Sequence, residues 1–207
     1  MGALGFKLPE EQIIVPFSGP REQVHPPRSI RSTLLASSLR ALHQRGRFDD
    51  YVRHLDAPWR DLPDRAIAGV WLPFAAGLAH YMACDALGFS AAEQHEIGRD
   101  VGDRIHGTFL GAMIRAARNV GVTPWLALGQ TRKLYDRLFD GGDVCVVQVG
   151  PKDARMDLVS NPLAGVAYFR NAMRGLWQVG LEHFCSKAYV TEIGRSPSAY
   201  RVRIAWA

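Results

Sequence analysis

The chain has 207 residues, 47% hydrophobic and 22% charged, with a formal net charge of +5. That is ordinary globular composition, enough for one sizeable core or two small subdomains. Lys occurs only at positions 7, 133, 152 and 187, so the basic side is almost all Arg; the acids are interspersed, and no motif that reads nucleic acid accompanies the charge.

Cys84, Cys145 and Cys185 stand far apart and outside any Cys-x-x-Cys pair. An odd count without framework spacing points to buried thiols in a reducing compartment. The N-terminus lacks the basic start and apolar core of a secretory signal. No run reaches the length of a membrane span, and Phe6 stands where a myristoylation motif needs Ser or Thr. The expectation is a cytoplasmic protein.

Residues 1–28 hold Pro9, Pro16, Pro20, Pro26 and Pro27, which exclude a helix. Ile13, Ile14, Val15 and Phe17 are too apolar for a free linker, so an arm docked on the domain or on a neighbouring subunit is expected. Residues 29–207 read as one domain, helical to 139 and strand-rich after 140. From Ser32, the stripe Leu34, Leu35, Leu39 and Leu42 predicts a helix that Gly46 stops. Asp64 is expected to cap a second apolar helix carrying Ile67 to Met82, with a kink or restart at Pro73.

Ser90-Ala-Ala-Glu93 is a capping box. The helix it opens carries Ile97, Val101, Ile105 and Phe109 on one face. Gly98, Gly102, Gly107 and Gly111 each cost about 1 kcal/mol relative to Ala in a helix interior. That cost implies close approach of another helix or of a ligand. Arg99 with Asp103, and Asp100 with Arg104, are spaced to pair on the wet face. Thr123-Pro124 predicts a cap and a helix to about Phe139.

After the turn at 140–143 the period switches. VCVVQV and ARMDLVS form a hairpin. A helix begins near Asn161-Pro162, and KAYVTEI with YRVRIAWA form a second hairpin. In the last segment Tyr200, Val202, Ile204 and Trp206 alternate with Arg201 and Arg203. The terminal strand should therefore turn one side to the helix and one to water. The fold class is α+β: a helical part, then a four-stranded antiparallel sheet built as hairpin–helix–hairpin.

The stretch YFRNAMRGLWQVGLEHF, with KAYVTEI and YRVRIAWA, resembles the end of the heme nitric-oxide/oxygen-binding (H-NOX) domain and of the related four-vinyl-reductase domain. Over residues 28–207 the chain also resembles a myxobacterial-type family of about 200 residues, through RSTLLASSLRAL, HGTFLGAM and the hairpin–helix–hairpin end. The resemblance implies heme, held by a His on the helix before the first strand and a Tyr-x-Ser-x-Arg clamp after it. Here PWLALGQTRKLYDRLF contains no His, with Arg132 and Tyr135 where a ligand would be sought, and neither VCVVQV nor ARMDLVS contains the clamp. Heme is thus a possible cofactor whose ligand motif is missing.

No Gly-x-Ser-x-Gly elbow and no phosphate loop occurs. His95 and His106 are too far apart in sequence for one metal ion, and Asp100, Asp103 and His106 read more simply as a solvated helix face than as acid–base machinery. The sharper set is Trp71, Phe74, His80, His106 and Phe109. Large aromatics with two polar anchors can line an apolar ligand pocket between helices and sheet, where glycines make room; core packing is the alternative for each of them. The function expected is a non-enzymatic small-molecule-binding or sensory module. It would take an apolar or heme-like ligand in an interior pocket and signal through a protein partner or homodimer. The alternative is a structural interaction module without ligand.

Overall fold

A computed structural model describes residues 11–67, 69–117 and 123–207, the side chains of 106–117 excepted. His106 and Phe109 therefore lie outside the described side chains.

The main sheet has five antiparallel strands in the order β1-β5-β6-β8-β7. They are β1 (Gln12–Val15), β5 (Asp143–Gly150), β6 (Asp153–Val159), β7 (Ala188–Ser196) and β8 (Ala199–Trp206). The two expected hairpins are present, and β8 lies inside the sheet between β6 and β7. Tyr200, Val202, Ile204 and Trp206 are buried, while Arg201 and Arg203 on the other face pair with Asp157 and Asp153. The fifth strand comes from the Pro-rich arm, which pairs Ile13 with Val147 and Val15 with Val146.

A second sheet, β3-β2-β4, joins distant segments: β2 (Ser29–Arg31), β3 (Trp71–Pro73) and β4 (Phe139–Asp140). Its centre is Ile30, fully buried, opposite both Leu72 and Phe139.

Eight α-helices surround these sheets among the described residues. The first, α1 (Ser32–Gln44), buries Leu34, Leu35, Leu39 and Leu42 as its stripe requires. Next come α2 (Phe48–His54) and the single turn α3 (Leu62–Arg65). The expected helix from Asp64 to Met82 is corrected. Gly69 takes a left-handed φ of 94°, and Trp71–Pro73 extends as β3. The helix α4 (Phe74–Asp85) starts only after Pro73, which supplies no N–H and fits outside the first turn.

The long α5 (Ala91–Ala117) opens on the expected box: Ser90 N donates to Glu93 Oε2 at 2.8 Å, and Glu93 N donates to Ser90 Oγ at 3.3 Å. The intrahelical ion pairs are corrected too. Arg99 binds Glu182 at 2.9 Å, Asp100 takes Arg45 at 2.7 Å, and Arg104 reaches the Ser37 carbonyl at 2.9 Å. Neighbouring helices offer these charges partners closer to the core than the wet face does.

The expected helix from 124 to 139 is two, α6 (Pro124–Gly129) and α7 (Thr131–Leu138), and Thr123 makes no side-chain cap. Finally α8 (Ala167–Leu181) crosses the main sheet. It is anchored there by Arg170 to Glu192 at 3.1 Å and Arg174 to the Val190 carbonyl at 3.0 Å.

The core lies where α5 meets α8. A Cβ on Gly98 would collide with the Ala172 carbonyl, and one on Gly175 with the His95 carbonyl. A Cβ on Gly102 would strike Val179 and come within 3.1 Å of Leu176 Cα. Of the two readings of these glycines, helix contact is the one realised at 98 and 102, and α8 fills the room they leave.

Candidate functional site

Trp71 is placed by a cross-strand pair. It faces Arg31 in the β2–β3 ladder, and the Arg31 guanidinium sits 4.8 Å from the indole centroid. Strand alternation buries Leu72 and leaves Trp71 44% exposed. Ser32 holds the preceding loop: its N–H donates to the Val70 carbonyl, its Oγ donates to the Ile67 carbonyl, and the Val70 N–H donates to the same Oγ at 3.0 Å. Ile67 and Val70 are thereby fixed on the surface beside Trp71, 68% and 42% exposed.

Two open grooves meet at this indole. One, of about 410 Å³, runs between Arg31, Ile105, Leu134 and Leu138. The other, of about 510 Å³, runs along Ser29, Phe139 and Asp140. Trp71 and Asp136 line both. Burial raises the Asp136 carboxyl pKa from its ordinary value; Arg132 opposes the shift and Asp143 adds to it. Asp140 pairs with Arg28 at 3.5 Å. The site offers an aromatic face, an aliphatic floor and charges of both signs.

The other expected residues lie elsewhere. Phe74 opens α4, half-buried against the core, with its N–H on the Arg28 carbonyl at 2.9 Å. His80 is fully buried, Nδ1 2.9 Å from Tyr51 Oη and Nε2 3.7 Å from Cys84 Sγ. Burial drives its pKa down to about 3, so the ring is neutral and both nitrogens are spent on protein partners. Trp71 is at the surface and His80 in the core. Among the described residues, two spaces between the helices are small: about 30 Å³ beside Trp177, and about 10 Å³ beside Tyr81 and Tyr168. Arg31, Leu134 and Asp136 escaped sequence reading. Only the Leu134/Leu138 spacing on α7 carried a local signal.

Among the described side chains, the donors at the place the resemblance indicates do not fit heme. The helices before β5, α6 and α7, contain no His. Arg132 is committed to Asp143, to the Pro16 carbonyl at 2.9 Å and to the Val144 carbonyl at 2.7 Å. Tyr135 is buried, and its Oη accepts from Asn161 Nδ2 at 3.1 Å. No group of three metal-ligating side chains forms among the described residues.

No helix among the described residues is long and apolar enough to cross a membrane. No family model and no curated protein matches the chain. Solved structures do. An unliganded Fe(II) H-NOX protein from K. algicida aligns over 86% of this chain and 97% of its own, at 13% identity and a TM-score of 0.60. A T. Tengcongensis H-NOX mutant aligns over 86% and 97%, at 15% identity and 0.59. An oxygen-binding H-NOX domain related to soluble guanylate cyclases, in its oxygen complex, aligns over 86% and 95%, at 17% identity and 0.57. At such identities the likeness establishes the fold and nothing finer: this α+β chain is folded as H-NOX domains are.

Proposed function

We propose that the protein is a non-catalytic small-molecule-binding or sensory module on an H-NOX fold, acting in the cytoplasm without heme. Its ligand, apolar or aromatic, lies in the groove around Trp71, and it answers through a protein partner or a second copy. One observation carries this reading: a half-exposed indole, stacked by Arg31, stands where two grooves meet. Indole faces bind apolar and planar groups at little entropic cost. The solved neighbours are named for iron and oxygen, but the donors here do not support carrying those ligands over. His106 and Phe109, the other two residues of the expected set, follow Ile105 on α5, which itself lines the groove.

The test is native mass spectrometry and the absorption spectrum of freshly purified protein, wild type and Trp71→Ala. A small-molecule adduct lost in the variant, without a Soret band, supports the reading. A Soret band overturns the exclusion of heme. A second reading, a structural interaction module, is favoured by the contiguous exposed Ile67, Val70 and Trp71. It prevails if no adduct forms while Trp71→Ala abolishes self-association or partner binding.

A further inference from the structure

Arg31 from β2 and Asp136 from α7 line the same groove of about 410 Å³ beside Trp71. Neither makes an ion pair among the described residues, with the other or with a neighbour. The other carboxylates close by are taken, Asp143 by Arg132 and Asp140 by Arg28. Arg31 lays the face of its guanidinium on the Trp71 indole, and such stacking leaves the in-plane fork of N–H groups open. The helix α1 begins immediately after Arg31, and Thr33 in its first turn lines the groove as well. That turn holds no acidic residue and receives no side-chain cap, so the positive end of the helix also favours an anion beside Arg31. Arg137 adds positive charge to the lining, and Ile105, Leu134 and Leu138 add aliphatic surface.

We propose that the ligand of this groove is a small zwitterion with an apolar body, the class of an apolar or aromatic α-amino acid. Arg31 and the start of α1 take its carboxylate, Asp136 takes its ammonium, and its side chain lies on Trp71 and the aliphatic floor. This rests on the groove reading above and names the chemistry of its ligand. An Arg fork matches a carboxylate in two parallel hydrogen bonds, and a carboxylate accepts from an ammonium; both are charge-assisted and roughly twice as strong as neutral bonds. The volume lies within the roughly 300–1,000 Å³ usual for small-molecule sites. A neutral apolar ligand would cover the floor but leave the guanidinium and the carboxylate facing it without compensation.

The test is calorimetric titration of the full chain with L-leucine, L-phenylalanine and the phenylalanine analogues that each lack one charge, 2-phenylethylamine and 3-phenylpropanoate. L-Phenylalanine should bind about ten- to a hundredfold more tightly than either analogue, because each lost end forfeits a charge-assisted hydrogen bond. Arg31→Gln should weaken L-phenylalanine and 3-phenylpropanoate about tenfold or more and leave 2-phenylethylamine within about twofold. Asp136→Asn should weaken L-phenylalanine and 2-phenylethylamine instead. The analogue series on wild type asks the same question without a substitution. The proposal is overturned if neither amino acid binds, if an analogue binds as tightly as L-phenylalanine, or if the two variants weaken every probe alike. Indole, a neutral probe, separates this proposal from the groove reading. Indole binding that Trp71→Ala removes, with no binding of either amino acid, overturns the zwitterion and leaves the groove reading standing; no binding of indole or of either amino acid, and no adduct on the purified protein, overturns both.

Discussion

Arg132 on α7 and Asp143 at the start of β5 form an ion pair whose aspartate is fully buried. The same carboxylate accepts from Ser18 N and Ser18 Oγ, each at 2.8 Å, and from Val144 N. One charge therefore ties the arm, the helix before the sheet and the first long strand together. The position where the resemblance would seek a heme ligand is spent on this latch.

Arg132→Ala should destabilise the fold by roughly 3–5 kcal/mol, because it leaves a buried carboxylate without its cation. Urea unfolding measures this. The arm should also become sensitive to limited proteolysis near Ser18. A loss below about 1 kcal/mol with an intact arm would show that the latch carries no load.

Gly98→Ala and Gly175→Ala should each cost roughly 3 kcal/mol or more. The added methyl meets backbone carbonyl rather than a movable side chain, so α5 and α8 must separate. Gly46→Ala meets no atom within 4 Å, but its φ of 64° strains an Ala, so about 1 kcal/mol is expected there. Thermal melts of the three variants give the ranking, and equal losses at all three would contradict it.

Stability should fall as pH drops from about 6.5 towards 3. His80 stays neutral in the fold down to about pH 3, whereas the unfolded chain protonates it near 6.5. In that window the unfolded state binds more protons, so acid favours unfolding, by up to roughly 4–5 kcal/mol at the lower end. His80→Gln should flatten this part of the profile. Parallel losses in wild type and variant between pH 6.5 and 4 would rule out the buried imidazole as the source.

Trp71→Ala should leave folding stability within about 1 kcal/mol of wild type, since an exposed cation–π pair contributes about 0.5–1 kcal/mol. Ligand or partner binding should be lost all the same. Paired unfolding and binding measurements separate the effects. A large stability loss would make Trp71 a packing residue instead.

Much of the fold was legible because it is local. The α1 stripe, the Ser90–Glu93 box and the alternation of Tyr200 to Trp206 are written within one or two turns of chain, so spacing alone exposes them. The strands β2, β3 and β4 are three residues or fewer and show no period. The Leu72 and Phe139 that flank Ile30 come from distant parts of the chain, and Trp71 consequently reads as helix until Arg31 is seen across from it.

Sequence by itself determined the α+β class, the hairpin–helix–hairpin end and the lack of a heme-ligand pattern on the helix before the sheet, since each depends on residue type and near-neighbour spacing. Tertiary structure alone decided which partner each charge takes, that the glycines at 98, 102 and 175 hold two helices together, and that Trp71 stands in a groove while His80 lies in the core. Those outcomes depend on which distant surfaces meet, and burial and pairing energies are set only at that meeting.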